Sequence, residues 1–123
     1  MKTVRVGFIG VGQRGGGHVG TYMRLEGVEI KAICDISARA AGGAGKQCAA
    51  AGHKPELYTK GEFDYRRLLK RDDLARVIIA TPWRLHTPMA VDAMNAGKHA
   101  FVEVPAAVTM KECWQLVDTA EKT

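Results

Sequence analysis

The sequence has no apolar run that approaches the twenty or so residues needed to cross a bilayer, so we expect no membrane partner. Cysteine is also scarce. The three cysteines, Cys34, Cys48 and Cys113, form no Cys-x-x-Cys pair and are odd in number. This spacing argues against a disulfide framework and against a zinc site, so we expect no bound metal. Cys34 lies in an apolar stretch and is predicted to be a small core residue.

Charge of one sign is not concentrated anywhere. The net charge is +5, and the one small basic cluster, within residues 66–71, shares its segment with Glu62, Asp64, Asp72 and Asp73. Nucleic-acid binding requires basic residues gathered on one face, and stacking on bases requires interleaved aromatic residues. The cluster therefore predicts a solvated helix face, and we expect no nucleic-acid partner.

No leader sequence is apparent, because Met1-Lys-Thr runs directly into an apolar stretch. We therefore expect a cytoplasmic protein, or a periplasmic one if an export signal has been removed. Composition is otherwise ordinary for a globular domain, with 46% apolar and 25% charged residues. A chain of 123 residues has the length of one domain.

Glycine, by contrast, is abundant where it is informative. The β-branched stretch Val4–Ile9 runs into Gly10-x-Gly12-x-x-Gly15, and Asp35 closes the next apolar run twenty residues later. A strand, three glycines at this spacing, a helix and a following acid are together typical of a dinucleotide-binding site. The alternative is a glycine-rich turn that binds nothing.

Each part of this pattern has a physical reason. Gly10 permits a tight turn, Gly12 lets the backbone approach a pyrophosphate, and Gly15 lets the helix pack against the strand. The N-terminus of the helix attracts the phosphates. Asp35 can accept hydrogen bonds from the adenosine ribose, and it favours NAD over NADP because a 2′-phosphate would meet a like charge.

Alternating apolar patterns predict five strands and five helices along the chain. Glycines 42, 43 and 45 lower the helix propensity of the second helix, which Ser37 caps, so we expect that helix to be mobile or broken. The predicted strands are Val4–Ile9, Val28–Cys34 and residues 56–59, 76–81 and 99–104. The predicted helices are 13–25 (or 16–25), 37–51, 63–71, 87–96 and one that follows the capping box Thr109-x-x-Glu112.

This alternation predicts an α/β fold, a Rossmann-type doubly wound parallel sheet. Ligands bind to such sheets outside the carboxyl ends of the strands. The candidate site therefore comprises the residues that follow each strand: 10–15, Asp35, 82–86 and 103–105.

The motifs after the last two strands allow a comparison with a known family. Thr81-Pro-Trp-Arg-Leu-His86, Ala96-Gly-Lys-His99 and Glu103-Val-Pro105 resemble motifs of the N-terminal NAD-binding domain of the Gfo/Idh/MocA oxidoreductases, and the resemblance covers essentially the whole chain. Members of that family usually carry Glu-Lys-Pro at the last motif. Val104 stands in place of the lysine, which often serves in acid–base chemistry beside the nicotinamide. The departure argues against ordinary dehydrogenase activity.

Longer motifs are similar to one branch, glycoside hydrolase family 109. These are Gly10-Val-Gly-Gln-Arg-Gly15, Thr81-Pro-Trp-Arg-Leu-His-Thr-Pro-Met-Ala90 and Phe101-Val-Glu-Val-Pro-Ala-Ala-Val-Thr109. The resemblance implies an α-N-acetylgalactosaminidase with tightly held NAD. In the implied mechanism, NAD takes a hydride from C3 of the sugar and a base removes the C2 proton. The C1 substituent is then eliminated, water adds in its place, and NADH returns the hydride to C3. The alternatives are an NAD-dependent sugar or inositol dehydrogenase and a non-catalytic nucleotide-binding module.

The resemblance also implies roles for individual residues. It places Gln13 and Arg14 at the pyrophosphate and Asp35 at the adenosine ribose. Glu103 and Val104 would meet the nicotinamide ribose and ring. The residues that would line the middle and nicotinamide end of the cofactor are Pro82, Trp83, Arg84, Leu85 and His86, with Trp83 expected in a loop.

Catalytic residues are harder to assign, because in this family the substrate domain supplies most of them. His86 is the one catalytic candidate in the sequence. We expect His18 to serve in packing or at the surface and His53 and His99 to be structural. Trp114 is predicted to lie in the core or on a surface that faces the substrate domain.

The sequence ends before the sixth strand that a full dinucleotide-binding fold would have. We therefore expect residues 1–123 to be an N-terminal NAD(P)-binding Rossmann domain, without the C-terminal substrate domain and inactive alone. The resemblance further implies a parent protein that acts on a small sugar or glycoside and forms a homo-oligomer.

Overall fold

The computed structural model describes residues 2–123 as a parallel sheet flanked by helices. The strands are β1 (Val4–Ile9), β2 (Val28–Cys34), β3 (Glu56–Tyr58), β4 (Arg76–Ile79) and β5 (His99–Val102). The helices are α1 (Arg14–Tyr22), α2 (Ala38–Ala50), α3 (Tyr65–Leu69), α4 (Trp83–Asn95) and α5 (Met110–Lys122). Every strand pair is parallel, and the order across the sheet is β3-β2-β1-β4-β5. The prediction of an α/β Rossmann-type sheet is confirmed.

Helices cover both faces of the sheet, which explains why the central strands are apolar on both sides. One face of the sheet packs against α1 and α2 through Val19, Ala41 and Cys48. The other packs against α3 and α4 through Leu68 and Met89. Burying an aliphatic side chain fully contributes roughly 1.5–3 kcal/mol, so these two clusters supply most of the stabilisation of the fold.

All three cysteines are free thiols. Cys34 and Cys48 are buried and Cys113 is exposed, and none of them is in a disulfide. Burial raises the pKa of the Cys34 thiol to about 12, so the thiol stays protonated and unreactive. Its prediction as a core residue is confirmed. Across residues 2–123, no set of three or more His, Cys, Asp or Glu side chains is placed to hold a metal ion.

Helix α2 is continuous, so the prediction of a broken helix is wrong. The Ser37 Oγ accepts a hydrogen bond from the Ala40 N–H at 3.1 Å and caps the first turn. Ala41 and Cys48 lie fully buried against the sheet. Glycine also suits one of its positions, because a Cβ at Gly45 would lie 3.2 Å from the Leu57 side chain. Packing therefore outweighs the low helix propensity of three glycines.

Helix α4 begins at Trp83, four residues earlier than predicted. The sequence predicts this helix over residues 87–96. In the structure Pro88 lies in the second turn, and Pro82 instead precedes the helix and accepts a hydrogen bond from the Leu85 N–H at 2.9 Å. The placement of Trp83 in a loop is therefore wrong: it belongs to the first helical turn.

The last helix lies on the outside of the domain. It has the predicted capping box, in which the Thr109 Oγ1 accepts from the Glu112 N–H at 3.1 Å and the Glu112 carboxylate accepts from the Val108 N–H at 2.9 Å. None of its residues is buried, and Trp114 is 63% exposed. The core position predicted for Trp114 is wrong, and its alternative, a surface that faces another domain, stays a prediction. No helix in the described part of the chain has the length and apolar character of a membrane span.

Asp64 is a buried acid whose hydrogen bonds stabilise the fold. Its buried carboxylate accepts hydrogen bonds from the Lys60 N–H at 2.9 Å and from two guanidinium nitrogens of Arg67 at 2.5 and 3.0 Å. The Arg67 hydrogen bond holds the pKa of Asp64 below its ordinary value. We expect Asp64→Asn to lower the free energy of unfolding by about 2 kcal/mol at neutral pH.

The pH dependence of this effect has a definite sign. Because the pKa of Asp64 is lower in the folded state, its contribution is present above the unfolded pKa of about 4 and is lost as the pH falls through the folded value. Urea unfolding from pH 7 to pH 2.5 should therefore show a shallower acid loss in Asp64→Asn than in the wild type. Parallel pH profiles would contradict the assignment.

Candidate functional site

The glycine loop, residues 10–15, joins the carboxyl end of β1 to α1 in a conformation that other residues would not permit. Gly10 has a φ of +89°, and a Cβ there would lie 2.8 Å from the carbonyl oxygen of Ala80. A Cβ on Gly15 would lie 1.8 Å from the carbonyl oxygen of Gly10. The backbone of the first helical turn therefore packs directly on the backbone of the loop, which places the N-terminus of α1 at the edge of the sheet.

Gly12 differs from its two neighbours in the motif. A Cβ added to it would meet no protein atom within 4 Å, and the residue is exposed. The protein's own packing therefore gives no reason for glycine at this position. A molecule that approaches the loop backbone closely would give one.

Asp35 follows β2 and is tied to the glycine loop. One carboxylate oxygen accepts the Val11 N–H at 2.9 Å and the other accepts the Ser37 N–H at 2.8 Å. A carboxylate has about four acceptor sites, so two backbone bonds leave capacity for the hydroxyls of a ligand. The sequence predicts that Asp35 binds a ligand, and this stays a prediction; its support of the loop was not predicted.

His86 lies in α4 and is almost fully buried, with 1% exposure. Its Nδ1 is 2.7 Å from the carbonyl oxygen of Pro105, and its Nε2 is 2.7 Å from the carbonyl oxygen of Thr81. Carbonyl oxygens only accept, so both contacts are hydrogen bonds when both ring nitrogens carry protons. The ring thereby connects the end of β4 to the segment after β5. Thr87 adds a third link, because its hydroxyl donates to the carbonyl oxygen of Ala106 at 2.8 Å.

The N-cap and first turn of α4 present three residues to solvent beside this connection. Pro82, Trp83 and Arg84 are exposed, with Trp83 at 66%. Leu85 points the other way and packs, partly buried, against the core. An exposed indole at the carboxyl edge of a sheet is available to lie against a flat ligand.

Glu103 follows β5 and forms a contact that the sequence did not predict. Its Oε2 is 2.6 Å from Nε2 of His18, in α1, and both side chains are about one-third exposed. The His18 hydrogen bond holds the pKa of Glu103 below its ordinary value, with further contributions from the Val104 N–H and the positive charge of Arg14. His18 lies at the surface as expected, partly exposed, and its contact with Glu103 is an addition to that expectation. The partners lie 85 residues apart, and no local pattern connects them.

Two open depressions lie on either side of the start of α1. The first, of about 510 Å³, lies between the glycine loop and α2 and is lined by Gly12, Ser37, Arg39 and Gly43 among others. The second, of about 630 Å³, lies along α1 and is lined by Arg14 and His18 among others. Gln13 lines both. An elongated ligand that crosses the loop at Gln13 would occupy both depressions.

The structure thus brings the predicted residues into two groups. Gly12 and Gln13 line the first depression, and Asp35 is hydrogen-bonded to two further lining residues, Val11 and Ser37. Arg14 and His18 line the second depression, and Glu103 is hydrogen-bonded to His18. Val104, 76% exposed, follows Glu103 before a cis peptide bond to Pro105. Since β2 and β5 lie on opposite sides of β1, the two acids Asp35 and Glu103 lie on opposite sides of the glycine loop.

Comparison with curated proteins shows strong similarity over the whole chain. A glycosyl hydrolase family 109 protein of Shewanella sp. (strain ANA-3) is 56% identical over 124 residues, and an α-N-acetylgalactosaminidase of Shewanella oneidensis is 55% identical over the same length. Each alignment covers 100% of this chain and 27% of the relative. The chain therefore spans about a quarter of the length of these relatives.

Solved structures give the same fold. The myo-inositol dehydrogenase of Lactobacillus casei, in complex with NAD(H) and myo-inositol, matches with a TM-score of 0.87 and 27% identity over 98% of this chain and 34% of its own. The myo-inositol 2-dehydrogenase of Lactobacillus plantarum, 24% identical over 98% of this chain and 34% of its own, matches with a TM-score of 0.85. The family model described as the oxidoreductase family with an NAD-binding Rossmann fold matches residues 4–123. The chain therefore belongs to the Gfo/Idh/MocA oxidoreductase family.

Proposed function

We propose that this chain binds NAD across the carboxyl edge of the sheet, with the adenosine on the β2 side and the nicotinamide on the β4–β5 side. The strand order supports this direction, because Asp35 and Glu103 follow strands that are three interstrand spacings apart, about 14 Å. The glycine loop lies between them. This arrangement matches a molecule that has two riboses joined by a pyrophosphate.

The observation that carries the proposal is the open space at Gly12. Gly10 and Gly15 are required by contacts within the protein, whereas a side chain at Gly12 would meet only solvent. The pyrophosphate of NAD would lie against this backbone, in front of the α1 N-terminus and close to the side chains of Gln13 and Arg14. The residues present therefore fit the cofactor.

The two ends of the site favour different parts of NAD. Asp35 retains acceptor capacity for the adenosine ribose, and its charge disfavours a 2′-phosphate. We assign the Glu103 carboxylate to the nicotinamide ribose and the exposed Trp83, in the first turn of α4, to the same end of the cofactor. In the arrangement observed, His86 holds the Pro105 segment rather than presenting a nitrogen to a substrate. We therefore assign His86 a positioning role and leave the catalytic base to the part of the protein outside these residues.

We further infer that the full-length protein is a glycosidase of the α-N-acetylgalactosaminidase type. Identity of 55–57% to relatives with glycosidase names supports this, as does Val104 in place of the usual lysine. Bound NAD would supply a hydride acceptor that oxidises C3 of the sugar and returns the hydride within the same turnover. Residues 1–123 would position that acceptor, and a substrate domain would supply the sugar-binding groups. We also propose that the parent protein is a homo-oligomer and lies in the cytoplasm, or in the periplasm if an export signal has been removed.

The activity is tested with the full-length protein purified without added cofactor. Incubation with an aryl α-N-acetylgalactosaminide in deuterium oxide should release the aryl group and place deuterium at C2 of the sugar. The C2 label is the informative readout, because direct displacement at C1 would release the aryl group and leave C2 unlabelled. Release without label would therefore contradict the elimination route.

Two other functions predict different results in the same assay. A sugar or inositol dehydrogenase, which the solved relatives make the second candidate, would release no aryl group and would produce NADH from free sugars. A non-catalytic nucleotide-binding module would bind NAD and give neither product. NAD binding is expected for all three candidate functions. The intact glycine loop supports it, as does the Asp35 carboxylate, which the Val11 and Ser37 N–H groups hold in place.

A further inference from the structure

We propose that His18 is a positioning residue, which holds the Glu103 carboxylate in place to receive the nicotinamide ribose. The inference rests on the proposed binding of NAD and goes beyond it by assigning a role to a residue outside the glycine and strand-end motifs. His18 lies in the second turn of α1, one turn below the glycine loop. Through it, the helix that starts at the pyrophosphate site is connected to the end of β5.

The contact has the geometry of a specific hydrogen bond. The 2.6 Å separation of His18 Nε2 and Glu103 Oε2 is short, as expected when an ionised carboxylate accepts. It engages one carboxylate oxygen and leaves Oε1 available for a ribose hydroxyl. Glu103 lies beyond the last residue of β5, so without the His18 contact its side chain would populate several rotamers. Holding it beforehand reduces the entropy that ligand binding must remove.

The charges around Glu103 support the same role. His18 and Arg14 both belong to α1 and both hold the pKa of Glu103 below its ordinary value, with the Val104 N–H contributing from the same segment. The carboxylate is therefore ionised throughout the neutral range and can only accept hydrogen bonds there. Ribose hydroxyls are donors that match it.

The test compares two substitutions and two ligands in calorimetric titrations of the 123-residue chain. His18→Leu removes the donor, and His18→Gln retains an N–H in a similar position. NAD contains the nicotinamide ribose, whereas ADP contains only the adenosine half and the diphosphate. We expect His18→Leu to bind NAD about ten-fold more weakly, the scale of one hydrogen bond to a charged group, and to bind ADP as the wild type does. His18→Gln should recover most of the NAD affinity.

A matched control is available in His99, an exposed histidine at the opposite end of the strand that Glu103 follows. His99→Leu should bind both ligands as the wild type does. Equal loss of NAD and ADP affinity in His18→Leu would indicate a general structural role and overturn the inference. Unchanged NAD binding by His18→Leu would also overturn the inference. Tighter NAD binding would do the same, because the His18–Glu103 pair would then obstruct the ligand. A wild type that binds ADP but not NAD, or neither, would overturn the proposed function itself.

Discussion

Gly15→Ala is expected to damage both the fold and the cofactor site. The added Cβ would lie 1.8 Å from the carbonyl oxygen of Gly10 and 2.7 Å from its carbonyl carbon, and both are backbone atoms. No rotamer change can relieve that overlap, so α1 must move away from β1. We expect the free energy of unfolding to fall by about 3 kcal/mol or more, at or above the upper end for overpacking. NAD binding should be lost with it, since the loop and the helix N-terminus shift together.

Gly17→Ala, in the same helix, is the matched control. A Cβ at Gly17 would meet no atom within 4 Å. Alanine is favoured over glycine in a helix by up to about 1 kcal/mol, so this variant should be as stable as the wild type or more so. Thermal unfolding of the two variants side by side measures the difference. If Gly15→Ala unfolds at the wild-type temperature, that result would contradict the close contact between the glycine loop and α1.

Asp35→Ala is expected to weaken NAD binding by about 1–3 kcal/mol, or roughly 5- to 150-fold, because it removes charged hydrogen bonds to the adenosine ribose. The same substitution removes the like charge that a 2′-phosphate would meet. NADP affinity should therefore fall less than NAD affinity, or rise, and Arg39 beside the first depression is placed to favour the phosphate. The NAD-to-NADP affinity ratio is the quantity to measure.

The support that Asp35 gives to Val11 and Ser37 makes a second variant necessary. Asp35→Asn keeps an acceptor oxygen and loses the charge, so it should retain more of the loop's stability while the cofactor preference still shifts. Asp118→Ala, on the exposed side of α5, serves as the control for loss of one negative charge. An Asp35→Ala protein that binds NAD as tightly as the wild type would remove Asp35 from the site.

The features that sequence reasoning recovered are those with a short-range physical cause. The central strands are apolar on both sides because helices cover both faces of the sheet. The glycines at 10 and 15 are required by contacts between neighbouring backbone segments. Asp35 follows β2 beside the loop because parallel strands present their carboxyl ends at one edge. Each of these leaves a pattern within about twenty residues.

The errors arose where distant packing decides the outcome. Three glycines predict a weak α2, yet the burial of Ala41 and Cys48 against the sheet holds the helix continuous. The start of α4 is predicted at Thr87, whereas the helix begins at Trp83 and includes Pro88 in its second turn. The His18–Glu103 contact has no sequence signal, because it depends on how α1 crosses the sheet towards β5. These contacts follow from the fold and not from local propensity.

The most direct test of NAD binding at this edge of the sheet is a calorimetric titration of NAD into the wild type and Gly12→Ala. The substitution meets no protein atom, so both chains should unfold at the same temperature. We expect one NAD bound per wild-type chain and a loss of at least about ten-fold in affinity in Gly12→Ala, because the added methyl holds the pyrophosphate off the backbone. No binding to the wild type, or equal affinity in the two proteins, would contradict NAD binding at this site.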